Sequence, residues 1–142
     1  MAASLPAAPG TYVLRLRLDH PAQVRVGALG RGAFPAGWYL YVGSARGPGG
    51  LAARVGRHRQ GGRRRHWHLD YLRPAMALTA VWWGLGEARR ECAWARALGA
   101  RPGALAPLPG FGASDCDCLT HLWWFETEPA RLAAAPHQWL AA

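Results

Sequence analysis

Between Thr11 and Leu18 the chain alternates. Tyr12, Leu14, Leu16 and Leu18 fall on one side, and Val13, Arg15 and Arg17 on the other. That period of two predicts a strand with one buried face. Asp19-His20-Pro21 reads as a turn, and residues 22–29 as a second strand, the hairpin partner of the first. Residues 30–37 read as a loop and 38–43 (WYLYVG) as a third strand. A Gly/Pro turn at 47–50 leads into a helix over 51–60, on which Arg54, Arg57 and His58 share a face by their i, i+3, i+4 spacing. Residues 66–72 predict a short helix stopped before Pro74, residues 77–83 a strand, and 86–100 a helix with Gly99 near its end. A long Pro/Gly-rich loop over 101–118 precedes a last strand at 120–127. These elements predict an α+β domain at 10–128, built on a small antiparallel sheet flanked by helices with an extra C-terminal strand. A loose leader at 1–9 and a broken helical tail at 129–142 flank it.

A length of 142 residues suits one domain with a real core. Hydrophobic residues make up 51% and charged residues 18%, which excludes a disordered chain. Most of the eight tryptophans are expected in the core. No apolar run approaches the ~20 residues of a membrane span. The start has no basic n-region and is broken by Pro6 and Pro9, and three cysteines do not make a secreted disulfide framework. A cytoplasmic protein is the expectation.

Charge changes the picture. The net charge is +9, and all 17 basic residues are arginine. The planar guanidinium matches phosphate oxygens two at a time, so the expected partner is nucleic acid, DNA ahead of RNA. The plain alternative is a solvated basic surface. Arg63-Arg64-Arg65, with Arg46 and Arg57, would grip the phosphate backbone without reading sequence.

Phosphate chemistry needs cationic groups, often a carboxylate-held metal, and a proton acceptor. Among eight carboxylates, Glu91 stands out because it sits inside a helix beside Cys92 and Trp94; a salt bridge to Arg54 is its structural alternative. Tyr12 and Tyr41 lie on strands of one sheet and can turn their hydroxyls into one cleft, although strand tyrosines are more often core residues. Cys116, Cys118 and His121, with Cys92, raise the question of zinc. The C-x-C-x2-H spacing is tighter than usual zinc pairs, and free cysteines pack as small hydrophobes, so a packed loop is the expectation.

Gly10-Thr11-Tyr12, Tyr41-Val42-Gly43, Arg54 and Glu91 follow in an order that resembles the GIY-YIG nuclease superfamily. YVGSARGPGGLAARVGRH at 41–58, HWHLDYL at 66–72, Glu91-Cys92 and GFGASDCDCLTHL at 110–122 are similar to its Uri-type subgroup. The resemblance covers residues 10–127 and implies a three-stranded antiparallel sheet with flanking helices. It also implies an endonuclease that hydrolyses phosphodiester bonds with one magnesium or manganese ion. Tyr41 would activate or hold the attacking water, Tyr12 would support it, Arg54 would clamp the phosphate and Glu91 would hold the metal. Gly10 and Gly43 would keep the backbone close, and His58 and His66 are the histidines expected to assist proton transfer. A nearby arginine and metal would favour the tyrosine phenolate. The gap between the two tyrosines is long for the superfamily, and the insert at 47–50 makes Arg57 a fallback for Arg54. The rival reading is a nucleic-acid-binding module on the same fold that does not cut.

Overall fold

A computed structural model describes residues 5–60, 65–114 and 116–141. The alternating segment forms strand β1 (Gly10–Leu18), with Tyr12, Leu14, Leu16 and Leu18 all in one core. The chain then builds a separate two-stranded ribbon from β2 (Ala22–Arg25) and β3 (Arg31–Phe34). Residues 22–29 are therefore not the hairpin partner of β1, and the expected loop at 30–37 contains a strand. Gly27 (φ 49°) and Gly30 (φ 96°) take left-handed conformations that turn β3 back onto β2. The nine-residue β4 (Gly37–Ala45) gives β1 a longer partner, paired from Gly10↔Ala45 to Leu18↔Gly37.

The main sheet has five antiparallel strands. Its order is β6 (Leu122–Phe125), β4, β1, β5 (Ala77–Leu85) and β7 (His137–Leu140). The α+β class matches the sequence pattern, but the sheet is wider than three strands and an extra one. The expected helical tail instead ends in β7, which pairs with β5 from Ala80↔Leu140 to Trp83↔His137. Trp82 Nε1 donates to Gln138 Oε1 at 3.0 Å, so the tail finds a strand's hydrogen bonds where its weak helix propensity offers less. Residues 5–9 also pack against the domain. Leu5 joins the core, and the carbonyls of Pro6 and Ala8 accept the backbone N–H groups of Ala52 and Leu51.

Those carbonyls satisfy donors that the first turn of a helix leaves open, and they fix the start of α1 (Gly50–Gln60). Leu51, Val55 and His58 form its buried face. The segment at 66–72 is helical only over α2 (Leu69–Leu72). The helix expected at 86–100 is α3 (Glu91–Gly99), shorter because Gly86 (φ 126°) opens a turn that lasts to Arg90. Helix α1 and the ribbon side cover one face of the sheet. Trp94, Ala95 and Leu98 of α3 cover the other face with Val13, Leu40, Val42, Ala80 and Trp82. The sheet is thus buried on both sides near β1, not on one. Burying an indole such as that of Trp82 removes about 150–250 Å² from water, worth on the order of 4 kcal/mol. Among the described residues no helix is long and apolar enough to cross a membrane.

Candidate active site

Pairing of β4 with β6 stops at Tyr41↔Leu122, while β4 runs on to Ala45. The freed end of β4 is where groups from both sheet faces meet. A cavity of 460 Å³ opens there, lined among others by Tyr41, Gly43, Arg46, Arg54, Arg89 and Glu91. Although α3 packs on the face opposite Tyr12 and α1, Glu91 is its first residue and reaches the shared opening. Three of the four residues expected to carry chemistry thus line one cavity. The fourth, Tyr12, lies fully buried behind Gly43, its partner across the β1–β4 ladder.

Gly43 explains how this works. A Cβ there would lie 2.3 Å from the Tyr12 hydroxyl, so only glycine lets the phenol cross over β4. Gly10 acts elsewhere: a Cβ there would meet the Gly84 carbonyl oxygen at 2.5 Å and Leu51 at 2.7 Å, so it seats α1 against β1 and β5.

Arg54 Nη1 donates to the Ser44 carbonyl at 2.9 Å, and its guanidinium stacks on Trp67 at 4.3 Å. The Gly47–Gly50 insert therefore does not carry Arg54 away from the cavity. Arg57 also stacks on Trp67, and its Nη2 meets Asp70 Oδ2 at 3.3 Å. Asp70 is buried and also accepts the backbone N–H groups of His66 and Trp67. Trp67 is an organiser that sequence reasoning passed over, and Asp70, read from the sequence only as a structural partner for His66, is another.

The histidines separate. His58 is buried, and its Nε2 is 2.9 Å from the Tyr12 hydroxyl. It also lies against the rings of Tyr41 and Trp67. His66 is exposed and does not line the main cavity, because its backbone is the part drawn in, toward Asp70. His68, not His66, reaches inward: its Nδ1 accepts the Gly112 N–H at 2.7 Å. Arg46 is exposed at the cavity, Arg65 stacks on Tyr71, and Arg63 and Arg64 lie outside the described residues.

Burial dominates the electrostatics. It pushes the Tyr12 phenol up to about 12, with Arg54 opposing. It pushes Tyr41 higher still, assisted by Tyr12 and Asp70 and opposed by Arg54. Arg54 favours the phenolate at both tyrosines, and burial outweighs it. Burial lowers His58 to about 4, Arg54 lowers it further, and Asp70 works against them. The Glu91 Oε2 atom is buried and has no hydrogen-bond partner among the described residues.

The loop that carries Cys116 and Cys118 packs near Cys92 at the start of α3, and the ligand atoms of Cys92, Cys116, Cys118 and His121 all lie within 4.8 Å of one another. No curated protein and no solved structure matches the chain. A family model described as Domain of unknown function DUF123 matches residues 11–140. The chain belongs to that DUF123 family, with nearly its whole length inside the matched region.

Proposed function

We propose that this chain is a metal-dependent endonuclease of the GIY-YIG kind that hydrolyses phosphodiester bonds, with DNA the favoured substrate. One observation carries the reading. Glu91, Arg54 and Tyr41 line a single cavity, and the Glu91 Oε2 atom is buried there without a hydrogen-bond partner among the described residues. A carboxylate at a helix start is favourable without a metal, but a buried oxygen lacking a partner is costly. A cation satisfies it, and one carboxylate with water ligands suits magnesium or manganese.

Arg54 would bind the scissile phosphate, held by Trp67 and the Ser44 carbonyl so that little freedom is lost on binding. Tyr41, protonated because it is buried, would hold the attacking water by hydrogen bonding. Behind it, the Tyr12 hydroxyl is hydrogen-bonded to neutral His58, which fixes the phenol's direction. The water oxygen attacks phosphorus as its proton passes to solvent, the ester P–O bond breaks, and the leaving oxygen takes a proton from solvent, so the products are a phosphate monoester and a free hydroxyl. A divalent ion bound by Glu91 would supply positive charge to the phosphate oxygens and to the water.

The test is nicking of supercoiled plasmid and of single-stranded DNA, with and without magnesium. Glu91→Gln and Arg54→Ala are each expected to lose about 100-fold or more in rate, as when a transition-state contact is removed. Magnesium-dependent cutting unaffected by Glu91→Gln would overturn the metal assignment. Tight binding with no cutting by the wild type would favour the non-catalytic module.

A further inference from the structure

We infer that Cys92, Cys116, Cys118 and His121 form a structural zinc site, with Cys92, Cys116 and His121 on the wall of the cavity that Glu91 also lines, and that its ion is distinct from one held by Glu91. The four residues come from two parts of the chain, Cys92 from one and Cys116, Cys118 and His121 from the other. Cys92 is the second residue of α3, Cys116 and Cys118 lie in the loop after it, and His121 immediately precedes β6. Nothing in the sequence spacing requires them to meet, yet their donor atoms all lie within 4.8 Å of one another. All three cysteines are free thiols.

Two sulfur–nitrogen separations lie near those of a tetrahedron. With Zn–S near 2.3 Å and Zn–N near 2.0–2.1 Å, tetrahedral angles put sulfur and nitrogen about 3.6 Å apart and two sulfurs about 3.8 Å apart. Cys116 Sγ is 3.5 Å from His121 Nε2, and Cys92 Sγ is 4.0 Å from it. Thiol–imidazole hydrogen bonds hold the same spacing when no ion is bound, so the donors are gathered before a metal arrives. Three thiolates and an imidazole form one of the closed structural zinc sets, whereas magnesium and calcium prefer oxygen.

The framework is already braced without an ion. The His121 N–H donates to the Phe111 carbonyl at 2.7 Å, its carbonyl accepts from Val42, and the Gly110 N–H donates to the Leu119 carbonyl. His121 is buried and the three cysteines are half-buried, so an ion would be shielded but reachable. Binding would fasten the start of α3 to the loop and to the end of β4, at the rim where Glu91 stands. The assignment rests on geometry alone and holds whether or not the chain cuts DNA.

The test uses the full chain, stripped of metal and then given zinc or cobalt(II). Zinc is expected to bind at about one equivalent per chain. It should protect all three thiols from alkylation and raise the melting temperature, an effect that a chelator reverses. Cobalt is expected to give the intense visible bands of a tetrahedral thiolate complex. Cys118→Ser should weaken zinc by more than the roughly 10–100-fold that losing a supporting contact costs, while Glu91→Gln should keep its zinc. Thiols equally reactive with and without zinc, or a pale octahedral cobalt spectrum, would overturn the site. Loss of zinc in Glu91→Gln with the thiols still open to alkylation would move the ion to the carboxylate instead. Because these readouts need no nuclease activity, failure here leaves the plasmid result to stand or fall separately.

Discussion

At the scale of single residues, His58 is the most exacting position. Its ring fills the space between Tyr12, Tyr41 and Trp67 and is neutral because burial and three arginines disfavour its charge. With its folded pKa near 4 against an unfolded 6.5, the unfolded chain takes up a proton first as the pH falls. The stability this residue contributes is whole above about pH 6.5 and is lost as the pH drops through about 4. The gap corresponds to on the order of 3 kcal/mol. Urea unfolding followed from pH 7.5 to 4 is expected to show that decline, and His58→Gln is expected to flatten it while starting from a lower stability. An unchanged slope in the variant would assign the acid sensitivity to other groups. Such residue-level roles were partly legible in the sequence. Tyr12, Tyr41, Arg54 and Glu91 could be named because their order is distinctive; the role of Trp67, and the choice of His68 over His66 as the inward histidine, could not, because both depend on contacts that only the fold creates.

At the scale of elements, the strongly patterned segments were readable and the weakly patterned ones were not. The alternation of β1 and the apolar run of β5 fixed their type, since few other structures bury such patterns. The four-residue strands β3 and β7 carry too few positions to reveal a period, and β2, legible as a strand, has its partner set by a tertiary choice. The alanine-rich tail shows the consequence: local propensity suggested helix, but the open edge of β5 made a strand the better solution. Removing residues 137–142 is expected to uncover that edge and strip the Trp82 indole of its acceptor, Gln138. The truncated chain should melt earlier and self-associate on gel filtration. Gln138→Ala alone should cost only about 1–3 kcal/mol, the penalty of one unpaired buried donor. If truncation leaves both melting and monodispersity unchanged, β7 is ornamental to the sheet.

At the scale of the whole molecule, the +9 charge divides into committed and available parts. Arg73 donates to the carbonyls of His58 and Met76, Arg101 to that of Ala130, and Arg15 bonds Thr79 and pairs with Glu128. These guanidiniums hold the fold, and their geometry is not free to follow a phosphate. Arg46, exposed at the rim of the cavity, is. Measured binding to a DNA duplex is expected to weaken linearly in log–log form with salt. Arg46→Ala should lower the slope by about one, whereas a substitution at Arg101 should lower thermal stability and leave the slope alone. Equal slopes for wild type and Arg46→Ala would take Arg46 off the nucleic-acid surface. The carbonyls of Pro6 and Ala8, which close the first turn of α1, give the opening residues a reach beyond their own neighbourhood. The helix they hold in place carries both Arg54 and His58, so a domain trimmed back to Gly10 is expected to lose Leu5 from its core and to shift both side chains.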